Sequence, residues 1–318
     1  MAPSAPSLRR GVSLAESRSV GPLARSGRRF GVRLVAPAAA LLIVLLLIPT
    51  LLTVLYSVHN VPADGRGLGE FTGFENFLIV FQSDVFWHSM WITFIFSLGF
   101  VLLSTLIGLG CAVLLNQEFI GRGFARTLLI IPWATPWLVL GILWKWYADG
   151  SVGGLNALLT ALGITSEYHD FLSDPTAALI LAIIAAVWRQ ASFAGILFLA
   201  GLQTLPGELA EAASLDGAGA IKRFYHITIP WLRPVLITVT VLNVIYAFLQ
   251  FDVIFAMTQG GPGDATQVLS ILIYRQLFVV TNIGLGSALA VILGVLALIG
   301  GLATVKLLYR REEQGMAG

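Results

Sequence analysis

A chain of 318 residues would ordinarily suggest about two soluble domains, but its composition excludes them. Apolar residues make up 57% of it and charged residues 11%, with a mean hydropathy of +0.86, so a water-facing surface could not be covered and disorder is excluded as well. The net charge of +2 gives no footprint for nucleic acid, and the single cysteine, Cys111, excludes an internal disulfide framework or a cysteine-rich metal site. An all-α integral membrane protein is the class that remains.

A membrane-crossing helix needs roughly 20 mostly apolar residues. Six stretches meet that length: 34–58, 89–115, 127–146, 176–203, 235–257 and 283–305. β-barrel strands would alternate over shorter segments, so six transmembrane helices are predicted. The third stretch contains Pro132 and Pro136, which predict a kink. The fourth and fifth each carry one charge, Arg189 and Asp252, and these are expected to approach each other.

Basic residues set the orientation. Fifteen of the 19 lie in the tail before the first span, the loops after the second and fourth, and the segment after the sixth. The opposite loops carry most of the acidic residues. Both termini are therefore expected in the cytoplasm. Residues 1–31 read as a disordered basic tail in contact with membrane lipid, 32–309 as one six-span membrane domain, and 310–318 as a second cytoplasmic tail. The first apolar stretch is too long for the core of a cleaved signal and reads as a retained span.

The longest predicted cytoplasmic loop, 205–234, holds a good helix former at 208–215, then Gly217 and Gly219, then a second short helix at 221–229 closed by Pro230 and Pro234. Such a hairpin is either a docking element or a plain surface connection. Its residues Glu211, Ala212, Ala213, Asp216, Gly217, Phe224, Ile227, Pro230 and Pro234 resemble the EAA loop of ABC-importer permeases, in their sugar-importing branch. Ile229 stands where that pattern usually has leucine. The stretch 251–266, with Tyr274 and Phe278 beyond it, resembles the end of the fifth span in the same permeases.

That resemblance covers most of the chain and implies a type I ABC-importer permease fold with six spans. It also implies that Glu211, Ala212, Ala213, Asp216 and Gly217 form the coupling helix, with Glu211 anchored to a basic residue of a partner ATPase dimer. The implied partners are that ATPase dimer, a second homologous permease subunit, an extracytoplasmic binding protein and a sugar. The chain itself would be no enzyme. Its three lysines, Lys145, Lys222 and Lys306, all lack a phosphate-binding glycine loop, so ATP and magnesium would be held by the partners and no cofactor by this chain.

A sugar site needs hydrogen-bonding groups beside a flat apolar surface. Asn243, Tyr246 and Gln250 share one helical face, and Trp188, Arg189, Gln190 and Phe193 lie near the middle of the fourth span. The resemblance carries Gln190, Phe193, Asn243, Tyr246 and Gln250 over as substrate-binding positions. Asn, Gln and Tyr also pack helices together, and for any one residue the two roles stand even. A disaccharide such as trehalose or maltose is the expected substrate, with glycerol-3-phosphate or another polyol as the alternative and an ATP-independent transporter as a remoter one. Sixteen arginines against three lysines point to a high-GC genome, which suits an actinobacterial trehalose-type importer.

Gly261, Gly263 and Asp264 match the Gly-x-Gly-Asp pattern of intramembrane aspartyl proteases, but Asp264 falls in a predicted outer loop where the glycines shape a turn. The four histidines are not paired at ligand spacing, so no metal site is expected.

Overall fold

The computed structural model describes residues 22–63 and 67–315. It divides into two units, Met1–Leu52 and Thr53–Gly318. Helix α1 (Pro22–Leu42) of the first passes through a π turn (Ile43–Leu47) into α2 (Ile48–Ser57), whose residues from Thr53 onward belong to the second. Helix α1 starts at Pro22, and residues 1–21 of the predicted tail lie outside the described residues.

In the second unit α2 is followed by a short antiparallel pairing of β1 (His59–Asn60) with β2 (Glu70–Phe71). Helix α3 (Glu75–Gln82) follows and is tied back by Asn76, whose amide donates to the carbonyls of Ser57 and His59, both at 3.0 Å. Then come α4 (Asp84–Leu115), α5 (Arg122–Ala134), α6 (Trp137–Tyr147), α7 (Gly154–Ala161) and α8 (Pro175–Leu202). Asp174 caps α8 by accepting from the Ala177 amide at 2.7 Å. Helix α9 (Gly207–Leu215) leads to α10 (Ala220–Arg223) and α11 (Ile229–Phe248), and the last three are α12 (Asp252–Met257), α13 (Leu269–Tyr274) and α14 (Ile283–Gly315).

Among the described residues five helices are long and apolar enough to cross a membrane: Arg33–Ser57, Asp84–Leu115, Pro175–Leu202, Ala220–Phe248 and Ile283–Leu307. The bent pair α5 and α6 has the length and apolarity of a sixth when taken as one broken span. Three sequence expectations are corrected here. The third span is not a kinked rod but two helices meeting at 99°. Residues 221–229 are not a separate surface helix but the start of the fifth span, continuous through a π turn at Phe224–Thr228. Pro230 has no amide for the His226 carbonyl, and the Ile229 amide reaches back to Phe224 instead. The fifth span also ends early, at Phe248, so 252–257 is a helix of its own.

The core is built where α8 meets α4. The buried face of α8 is rich in small residues (Ala178, Ala182, Ala185, Ala186, Ala191, Ala194 and Gly195) among larger ones such as Leu181, Val187 and Phe198, and the small ones let backbones approach closely. At the closest point a Cβ added to Gly108 of α4 would lie 2.6 Å from the Ala194 Cβ and 2.9 Å from both the Ala191 carbonyl and the Gly195 amide. The same device recurs at Gly141 of α6, where a Cβ would come within 2.6 Å of Ala256 in α12.

The turn after α6 is closed by Asp149, which accepts from the Ser151 hydroxyl at 2.7 Å and from the amides of Ser151 and Val152 at 2.8 and 3.0 Å. The Ser151 hydroxyl first, then the two amides, hold its carboxyl below the usual aspartate range.

Candidate functional site

Pro136 cannot donate to a helix ladder, and it drives the residue before it out of the helical region. Thr135 accordingly has φ −73° and ψ 126°, and α5 ends there. Its carbonyl would be an orphan inside the membrane, where backbone groups must find partners within the protein. Arg189 of α8 supplies one: its Nε donates to the Thr135 carbonyl at 2.8 Å. The guanidinium carbon sits 4.0 Å over the Trp137 ring, the first residue of α6. One turn along α8, Phe193 stacks on Trp133 of α5 at 6.0 Å and 22°. Trp188 meets Trp144 of α6 edge-on at 6.4 Å. The fourth span thus touches the bent third span on both sides of its corner.

A second cluster is deeper. Gln190 Nε2 donates to Asn243 Oδ1 at 2.8 Å, and Asn243 Nδ2 donates to the Thr105 hydroxyl at 3.1 Å. Gln190 is 1% exposed and Asn243 0%, so the chain of amides joins the second, fourth and fifth spans inside the protein. Asn243→Leu should leave the Gln190 donor buried and unsatisfied, at a cost of about 1–2 kcal/mol. A lowered melting temperature of the purified protein in detergent is the expected readout, and an unchanged one would exclude the network as a stabilising element.

Gln250 does not continue the face of Asn243 and Tyr246, because α11 has ended at Phe248. It sits in the break before α12, where its carbonyl accepts from the Ser270 hydroxyl at 2.6 Å. Its side chain is 5% exposed, and Nε2 has no protein partner. Phe251, Phe255, Tyr274 and Phe278 form a run of ring contacts beside it, at 4.9–5.5 Å between neighbours. Tyr246 is 43% exposed, within electrostatic reach of Arg189.

Arg189 and Asp252 form no ion pair among the described residues. The arginine is held by Thr135 and Trp137, and the aspartate opens α12, where the helix dipole favours a negative charge. Asp264 instead pairs with Arg275 at 2.6 Å, with Gln267 bonded to the same guanidinium nitrogen. No group of three or more metal-binding side chains occurs among the described residues.

The loop helix α9 is well made. Pro206 precedes it, and Gly217, at φ +76°, closes it. The Ala218 amide bonds the Ala213 carbonyl at 2.9 Å and the Gly217 amide bonds Ser214 at 3.1 Å, the two bonds of a Schellman motif. Glu211, Ala212, Asp216 and Gly217 are exposed and Ala213 is half-buried. Glu211 has no ion-pair partner among the described residues. Leu215, Ile221 and Tyr225 beside it are also exposed, at 89%, 76% and 63%.

Residues 104–317 match the family described as binding-protein-dependent transport system inner membrane component. The chain belongs to that family. Among its relatives, the trehalose/maltose transport system permease protein of Thermococcus litoralis is 36% identical over 272 residues, covering 85% of this chain and 90% of the relative. The sn-glycerol-3-phosphate transport system permease protein of Agrobacterium fabrum is 36% identical over 270 residues, covering 83% and 89%. A solved bacterial ABC transporter that imports the acidic polysaccharide alginate has the same fold, with a TM-score of 0.78 at 21% identity over 91% of this chain and 99% of that one. These relatives are transport permeases and not enzymes.

Within the permease, sequence reasoning missed Thr105, Trp133, Thr135 and Trp137. Pro136 was the only local signal for the last two, and nothing local marked the first.

Proposed function

We propose that this permease is one of two membrane-spanning subunits of an ATP-driven importer that carries a sugar, of the trehalose or maltose kind, into the cytoplasm. The observation that carries this reading is the 36% identity, across 85% of the chain, to a trehalose/maltose permease. The substrate wall we assign is Trp188, Phe193, Tyr246 and the Gln250 amide: aromatic faces for a sugar ring and a buried donor without a protein partner. The buried Gln190–Asn243 pair ties the fourth and fifth spans, which carry Trp188, Phe193 and Tyr246. Arg189 and Asp252 are the charges of the fourth and fifth predicted stretches. Glycerol-3-phosphate is the second reading, favoured by the equal identity to its permease.

Both termini lie in the cytoplasm in this reading, as the basic loops favour. Helix α9 would then be the coupling helix, docking on an ATPase dimer that holds ATP and magnesium. A rigid, exposed helix with an unpaired Glu211 and an apolar rim suits such a partner. On the other side of the membrane an extracytoplasmic binding protein would deliver the substrate.

The test is uptake into proteoliposomes by the complete importer with labelled trehalose, maltose and glycerol-3-phosphate, with and without ATP. Accumulation of a disaccharide that needs ATP, the binding protein and the ATPase subunits is the expected result. Uptake by the permease without ATPase subunits would sink it.

A further inference from the structure

The corner of the third span has three contacts with the fourth. Phe193 grips the α5 side through Trp133, Trp188 grips the α6 side through Trp144, and Arg189 holds the corner itself. Only Arg189 bonds the backbone at the break, and only a planar guanidinium can donate from its edge while laying its face on Trp137. A charge at that depth is costly, and it is kept where its bonds are needed. The fourth span then runs to Leu202 and continues within a few residues into α9.

We propose that Arg189 is a positioning residue: it locks the 99° corner of the third span to the fourth, so that the two spans move as one body when α9 is displaced. The bond to Thr135 fixes the carbonyl that Pro136 leaves without a ladder partner. The stack on Trp137 fixes the direction in which α6 departs. Without both, the corner becomes a hinge, and displacement of the fourth span is absorbed there instead of reaching α6. This role does not depend on which sugar is carried.

Three variants of the complete importer in proteoliposomes test it: Arg189→Gln, Arg189→Lys and Trp137→Leu. For Arg189→Gln the maximal rate of uptake should fall about tenfold, within the range for residues that carry coupling, while KM for the loaded binding protein stays constant and ATP hydrolysis continues. Arg189→Lys, which keeps one donor but not the planar stack, should recover part of the rate. Trp137→Leu should lose rate in the same direction.

A distance readout separates this role from plain stability. Cys111 is the only cysteine, so a Cys111→Ser background accepts spin labels on cysteines introduced at Leu128 of α5 and Leu143 of α6, which are 48% and 50% exposed. Their separation should be narrow and the same with and without ATP in the parent, and broad in Arg189→Gln. A narrow distribution in Arg189→Gln with uptake unchanged would overturn the proposal. So would a raised KM at constant maximal rate, which would make Arg189 a substrate contact. If Arg189→Gln does not assemble, Arg189→Lys and Trp137→Leu decide: loss of rate at constant KM supports the lock, and full coupled uptake in both refutes it.

Discussion

Replacing Gly108 with leucine should abolish assembly of the permease, and replacing it with alanine should already lower its melting temperature. Even a methyl at this position would lie 2.6 Å from the Ala194 Cβ and 2.9 Å from two backbone atoms of α8. Backbone atoms cannot rotate aside as a side-chain tip can, so the helices must separate. Overpacking of this kind costs about 1–3 kcal/mol for small additions. The cost spreads, because α8 also carries the Gln190 amide and the Arg189 guanidinium to their partners on other spans. Loss of the monodisperse peak for Gly108→Leu on size-exclusion chromatography, and a lower melting temperature for Gly108→Ala, are the measurements. A Gly108→Leu protein that purifies and melts like the parent would show that α4 and α8 do not approach so closely.

Glu211→Ala should separate ATP hydrolysis from transport. The carboxylate is exposed on a helix whose ends are already closed, by Pro206 at the start and by the Schellman bonds at Gly217. Removing it therefore disturbs nothing inside the permease and should leave melting unchanged. In the proposed reading, what it removes is a charge-assisted bond to the ATPase partner, worth about 1.5–3 kcal/mol. By the tenfold-per-1.4-kcal/mol rule that is about a ten- to hundredfold loss of coupled uptake. Glu211→Gln, which keeps an acceptor but no charge, should fall in between. Uptake and hydrolysis measured on the same vesicles give the ratio, and coupled transport at the parent level in Glu211→Ala would remove the assigned role.

These two variants act on different parts of the molecule, and they differ in how far sequence could reach them. The exposed loop helix was legible at 208–215, because a short run of good helix formers ending at a glycine is a local signal. The continuation at 221–229 was misread. Two prolines looked like punctuation, whereas a π turn absorbs the first of them inside one long helix. The Gly108 contact could not be read at all, since nothing near residue 108 says that Ala194 lies opposite.

The candidate site divides in the same way. Gln190 and Asn243 were marked by being polar within spans, but their mutual bond joins residues 53 apart, and the bond from Asn243 to Thr105 spans 138. Arg189 was noticed as a charge and expected to meet Asp252. The structure gives it a carbonyl and an indole ring instead.

By itself the sequence determined that the chain belongs in a membrane, where its apolar stretches lie, and where the loop helix lies. Hydropathy and helix propensity add up along neighbouring residues, so no fold is needed to read them. Only the tertiary structure decided the 99° corner, the end of the fifth span at Phe248, and the partners of Arg189, Gln190 and Asn243. Pro136 removes a backbone donor, which favours a kink or a break but decides neither which it is nor the angle, as Pro132 inside the unbroken α5 shows. The angle and the polar pairings are set by which helices pack against one another, and within a membrane every freed carbonyl or buried amide must find its partner there.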